Sequence, residues 1–231
     1  MTHQTKAGGR PTRQESEARR QRLLAIAQRR FLTGGYRETS LESIVREAGI
    51  AKKTLYHQYG SKAGLFATIL GTLRNSWIAE LSDIVLDSHP PKPMLERVAL
   101  HLLDVGTRPD MIALHRLLLT EAHRFPELIG SHYDKKGGLR GMEPLADYLG
   151  RAKADGALKI GDVALATEQF LYLVLGGIRA RLLLGTTRRP APALRRRIAR
   201  EAVQVFLAGY AAGGVGVAAL TGGEPEAVRL S

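Results

Sequence analysis

The sequence contains no cysteine. It therefore cannot build a disulfide scaffold, a thiol nucleophile or a zinc ribbon, and cysteine usage leaves the redox compartment open. Long apolar runs are also lacking. The longest strongly apolar stretch, Phe170 to Ile178, is nine residues, short of the ~20 that a membrane-spanning helix requires. The first residues, MTHQTKAGGRPTRQ, have no apolar segment of the signal-peptide kind. There is no H-E-x-x-H, and none of the seven histidines lies four residues from another, so no helical metal pair is expected. Acidic residues are in short supply: 22 against 34 basic, a net charge of +12. The imbalance is concentrated in residues 1–79, which hold 14 basic and 5 acidic side chains. A basic block beside a nearly balanced remainder points to an N-terminal part that meets a polyanion.

What is present is helical throughout. Residues 1–14 show no periodicity and read as a flexible basic arm. From about Glu15, Leu23, Ile26, Ala27 and Phe31 fall on one helical face, with arginines opposite, until Gly34-Gly35. Thr39 and Glu42 fit a capping box, with Leu41, Ile44, Val45 and Ala48 as the apolar stripe behind it. Gly49 ends that short helix, and another runs from about Ala51 to Tyr59. Ser61 is placed to cap a longer helix reaching about Leu86. Five more helices are expected at about 93–107, 110–122, 126–155 (with an interruption at Gly137-Gly138), 162–184 and 191–211. Residues 212–231 form a Gly-rich tail. No segment alternates with period two, so the fold class is all-α.

Two short helices around a tight glycine turn have the outline of a helix-turn-helix, here spanning about 40–59. With Leu55 pointing inward, a helical wheel puts Ala51, Gln58 and Tyr59 on the inner side and Lys53 and His57 outward. Tyr56 and Thr54 flank them, and Lys52 sits near the boundary. Such a face suits DNA, although any surface helix is polar outside.

The stretch from Gly35 to Lys62, with G-Y-x-x-T-S-L-x-x-I, A-G-I, T-L-Y and S-K in order, closely resembles the DNA-binding domain of the TetR family of bacterial transcriptional regulators. The motif match covers roughly residues 16–70, and the order of the later helices agrees. Gly9-Arg10-Pro11 is similar to the arm that often precedes the family's first helix. The resemblance implies a DNA-binding domain over 15–79 and an effector-binding and dimerisation domain over 80–211. It implies Thr39, Tyr56 and Lys62 as phosphate contacts, and Lys52, Lys53, Thr54 and His57 as groove-facing readers or their neighbours. Three positions depart from the family pattern. Ala51 stands where Ser or Thr usually caps the recognition helix, Lys53 replaces a small residue, and Ala63-Gly64 replaces Glu at the start of the next helix, which is expected to fray.

In the C-terminal part the resemblance implies that the last two helices pair across a two-fold axis. Phe170, Leu173, Val174, Ile198 and Val205 are then the expected interface; the alternative is that these helices are simply core. An effector pocket among the middle helices is implied in the same way. Trp77, His101, Met111, His115, Phe125 and Gln169 are its candidates, although His101 and His115 read more readily as core histidines and His101 can pair with Asp104. Arg195-Arg196-Arg197 with Arg200 reads as a solvated helix face, with a membrane surface as the rarer alternative. The string Gly214 to Ala219 matches G-x-G-x-x-A but follows a helix in the tail, the wrong context for a dinucleotide site.

The expected protein is a cytoplasmic, dimeric, ligand-responsive transcriptional regulator, most simply a repressor on a palindromic double-stranded operator. Its partners are DNA, a second copy of itself and a small-molecule effector, with no cofactor, metal or membrane. An activator or a ligand-dependent DNA binder is the alternative within the class. From another class, the alternative is an all-α enzyme with an accessory nucleic-acid-binding hairpin.

Overall fold

A computed structural model of the chain describes residues 12–86, 90–121, 123–126 and 141–210. Among these, regular structure is helical; the one exception is an isolated bridge at Leu158. The helices are α1 (Arg13–Gly34), α2 (Leu41–Ala48), α3 (Lys52–Tyr59), α4 (Lys62–Val85), α5 (Pro91–Gly106), α6 (Pro109–Glu121), α7 (Glu143–Ala154), α8 (Val163–Leu183) and α9 (Pro192–Tyr210). The Gly137-Gly138 interruption, the first eleven residues and the Gly-rich tail lie outside the described residues. The chain divides into two compact units, one of 1–72 with 117–131 and one of 73–116 with 132–231.

In the first unit, α1 begins earlier than the periodicity predicts. Thr12 Oγ1 accepts from the Glu15 amide while the Glu15 carboxylate accepts from the Thr12 amide, a reciprocal cap that takes Arg13 and Gln14 out of the expected arm. The cap of α2 is displaced by one residue from the expected one. Ser40 Oγ accepts from the Ser43 amide at 3.1 Å. Thr39 is instead buried, its hydroxyl within donating distance of the Arg30 and Gly35 carbonyls at 3.0 and 2.8 Å. Gly49 closes α2 at φ 67°, ψ 35°, left-handed backbone that costs other residues more. The core is aromatic: Phe31, Tyr36 and Phe66 pack with ring centroids 5.2–5.6 Å apart, and Phe125 meets Tyr36 at 4.8 Å. Arg29 and Arg30 of α1 both pair with Glu47 of α2.

In the second unit, α5 lies at the centre. Its Met94, Leu95, Val98, Ala99, Leu102 and Leu103 are buried against α8 and α9. Asp162 caps α8 through the Leu165 amide. The buried face of α8 is Ala166, Phe170, Leu171, Val174, Leu175 and Ile178, and that of α9 is Ala199, Ala202, Val203 and Phe206. By length and composition α8 also passes for a membrane span; in this fold that apolar face is core. The arginine run of α9 is not uniformly solvated. Arg196, Arg197 and Arg200 are exposed, but Arg195 is 13% exposed and donates to Asp104 at 2.6 Å and to the Pro190 carbonyl at 2.6 Å.

Candidate nucleic-acid interface

Helix α3 is held to the first unit by one side. Leu55 is fully buried and Tyr59 half-buried, while Ala51 and Gln58, placed inward by the wheel, are exposed. A two-turn helix anchored at one residue leaves even its flanks in solvent. Ala51 forms no side-chain cap. At the other end, Ser61 Oγ accepts from the Gly64 amide at 3.1 Å, so the start of α4 is capped despite its lack of Glu. A Cβ on Gly64 would lie 2.0 Å from the Tyr59 carbonyl oxygen. The missing side chain is what lets the end of α3 and the start of α4 approach so closely.

The exposed side chains of α3 divide into two kinds. Lys53, Thr54 and His57 make no side-chain hydrogen bond or ion pair among the described residues. Lys52 pairs with Glu42 across the turn, and its ammonium sits 5.8 Å from the Tyr56 ring centroid. The hydrogen bond from Lys52 holds the Glu42 carboxyl below the usual carboxylate range, and the carboxylate raises Lys52 in return. Beside this pair lies a cleft of about 430 Å³, lined by Arg37, Ser40, Glu42, Tyr56 and Lys62 among others. It combines the N-terminal end of α2, whose dipole favours an anion, with a phenol and an ammonium. Lys62 Nζ donates to the Arg37 carbonyl at 2.9 Å and lies 4.8 Å from the Tyr36 ring centroid; burial lowers its pKa. Thr39 borders the cleft, but its hydroxyl proton goes to backbone carbonyls. The sequence reading missed Arg37 and Ser40 and took Gly64 only for a position where the helix frays; the cap-capable serine next to Thr39 was the available signal for Ser40.

The six expected pocket residues have different surroundings among the described residues. Trp77 and His101 touch, with ring centroids 5.3 Å apart, and the indole donates to the Gly141 carbonyl at 3.0 Å. His101 Nε2 lies 3.8 Å from Glu80; Asp104, its expected partner, is taken by Arg195. Met111 and His115 are half-buried on α6. Burial first, and then the Arg179 guanidinium, pushes the His115 pKa down to about 4. Phe125 belongs to the first unit, packed on Tyr36. Gln169 is exposed and accepts from the Tyr210 hydroxyl. A groove of about 910 Å³ in the second unit is lined by Ile78, Val85, Pro91, Pro144, Tyr148 and Arg151 among others, and by none of the six. Among the described residues, no group of three or more His, Asp or Glu is placed to hold a metal ion.

The expected interface residues also separate. Phe170 and Val174 are 0% and 1% exposed inside a single chain, so they are core and not available to a partner. Leu173 and Val205 are 42% and 58% exposed and Ile198 is half-buried; Leu165, Tyr172 and Leu194 are further exposed apolar side chains of α8 and α9.

Residues 23–69 match the family described as bacterial regulatory proteins, tetR family, and residues 93–212 match the C-terminal domain of AefR-like transcriptional repressors. The HTH-type transcriptional regulator AcrR of Shigella flexneri is 33% identical over 97 residues, which are 41% of this chain and 45% of that protein. The chain thus aligns with less than half the length of this relative. A TetR-family transcriptional regulator of Mesorhizobium loti, known as a crystal structure, superposes with a TM-score of 0.76 at 24% identity, covering 87% of this chain and all of that one. The flavonoid-responsive regulator FrrA superposes with a TM-score of 0.64 at 26% identity over 84% of this chain and 98% of its own. The second match alone spans half of the chain, and the first falls on the α2–α3 turn whose outer face is described above. The protein is a member of the TetR family of transcriptional regulators.

Proposed function

We propose that the protein is a ligand-responsive repressor that binds a palindromic operator as a homodimer in the cytoplasm. The observation that carries this reading is the outer face of α3: Lys53, Thr54 and His57 stand exposed around a buried Leu55, with no side-chain partner among the described residues. Lysine at the centre of such a face can reach guanine edges in the major groove. The cleft holding Tyr56 and Lys62 would take a backbone phosphate, which fixes register without reading sequence. A two-fold dimer through the exposed apolar residues of α8 and α9 would present two such faces to two half-sites. The effector would be a small apolar or amphipathic molecule; the structural relative named as flavonoid-responsive supports a small-molecule signal. It would act by preferring the conformation that does not fit the operator, with a coupling of roughly 1–3 kcal/mol.

The test is footprinting on the DNA upstream of the protein's own gene, followed by competition against a randomised operator library. Lys53→Ala is expected to cost ~1–3 kcal/mol at particular base pairs and to relax preference there. Tyr56→Phe is expected to weaken all sequences alike. If Lys53→Ala leaves every base preference unchanged, Lys53 does not read bases.

A further inference from the structure

Glu42 is an odd residue to find beside a phosphate-sized cleft. It stands on the first turn of α2, where a carboxylate complements the helix dipole, and besides meeting its own backbone amide its carboxylate reaches across the turn to pair with Lys52. Both partners are open to water, with side chains 61% and 53% exposed. An exposed pair of this kind adds little to stability, so its effect must be sought in the charge that the surface presents. The neighbouring Lys53 has the same charge and, among the described residues, no such partner. In the free protein, therefore, one of the two adjacent lysines of α3 is compensated and the other is not. A phosphate approaching the cleft meets the carboxylate as a like charge, and it can engage Lys52 only by displacing Glu42.

We propose that Glu42 serves as an intramolecular stand-in for phosphate, occupying Lys52 in the free protein and setting a threshold for DNA binding. Duplexes that offer only backbone charge are held weakly, because capture of Lys52 is an exchange of one anion for another. A duplex that also matches Lys53, Thr54 and His57 supplies the additional interaction that drives the exchange. Glu42 is thus a specificity-determining residue that touches no base. This inference rests on the DNA-binding reading above.

The experiment compares wild type, Glu42→Gln, Lys52→Gln and the double variant on a short mixed-sequence duplex across a salt series. Glu42→Gln is expected to bind about two- to fivefold more tightly, the scale of an exposed ion pair. Its salt dependence should steepen by roughly one unit per recognition helix, because a cation is released to contact phosphate. Lys52→Gln should weaken binding in the wild-type background, because it leaves the Glu42 carboxylate uncompensated beside the cleft, and should abolish the gain in the Glu42→Gln background. Without DNA, the carboxyl resonance of Glu42 should titrate higher once Lys52 is Gln. Equal or weaker binding by Glu42→Gln, or an unchanged salt slope, overturns the proposal while leaving DNA binding intact. Wild type that binds no duplex in a salt-dependent way overturns the DNA-binding reading and this proposal together.

Discussion

Two glycines of α4 show how a single position decides the sign of a substitution. Alanine is ordinarily better than glycine inside a helix by roughly 0.5–1 kcal/mol. Gly71 has open space where its Cβ would be, so Gly71→Ala is expected to raise stability by about that amount. At Gly64 the added carbon would lie 2.0 Å from the Tyr59 carbonyl oxygen. Backbone must move, and Gly64→Ala is expected to cost ~1–3 kcal/mol, the range for overpacking. Chemical denaturation of the two variants side by side checks both signs. His115 supplies a pH-dependent counterpart. Its pKa is pushed from the ordinary 6.5 down to about 4 by burial and Arg179. Between these values the unfolded chain binds a proton that the folded chain does not, so this contribution is intact above pH 6.5 and lost as pH falls toward 4. Denaturation at a series of pH values should show a flatter profile for His115→Leu over that window. A wild-type slope retained in the variant would mean that His115 does not account for it.

At the scale of elements, the junction between α5 and α9 is held by arginines. Arg195 donates to the Asp104 carboxylate and the Pro190 carbonyl, while Arg189 donates to the Asp104 carbonyl and to Thr107 Oγ1. Removing Arg195 leaves the Pro190 carbonyl and a half-exposed carboxylate without these donors. Arg195→Ala is expected to cost about 2–3 kcal/mol, whereas Arg196→Ala on the exposed face should change little. Thermal unfolding of the two variants separates a clamp from a solvated run. The sequence could not make this distinction, because Arg195, Arg196 and Arg197 are equivalent until α5 is placed beside them. Helix ends were more legible. Gly49 and Ser61 act where their residue types predict, while the cap of α2 moved from Thr39 to Ser40. Both residues can cap, and the carbonyls of Arg30 and Gly35 claim the threonine.

For the whole molecule, the adjacent residues Leu173 and Val174 separate folding from assembly. Val174 is 1% exposed and Leu173 42%. Val174→Glu buries an unpaired charge in the core and is expected to unfold the second unit, a loss of several kcal/mol. Leu173→Glu should leave helicity and melting of the protomer nearly unchanged. If α8 and α9 form the proposed dimer, it should give monomers in sedimentation and lose affinity for a two-half-site duplex. A Leu173→Glu protein that remains dimeric would place the interface elsewhere.

The all-α class, the position of the helix-turn-helix and the outward face of α3 were determined by the sequence itself. They depend on local rules: the 3.6-residue period around Leu55, the glycine after α2, and side-chain oxygens at helix starts. Tertiary structure decided what periodicity leaves degenerate. Helix α8 is apolar on nearly every side, so no wheel could tell buried Phe170 and Val174 from exposed Tyr172 and Leu173; only the seats of α5 and α9 fix which face is covered. Lys52 and Lys53 are chemically identical neighbours, and Lys52 became a paired cation because the turn after Gly49 brings Glu42 within reach. Phe125, grouped by sequence with Trp77 and His101, joins Tyr36 in the other unit. An aromatic side chain goes to the core its segment contacts, and that contact is a property of the folded chain.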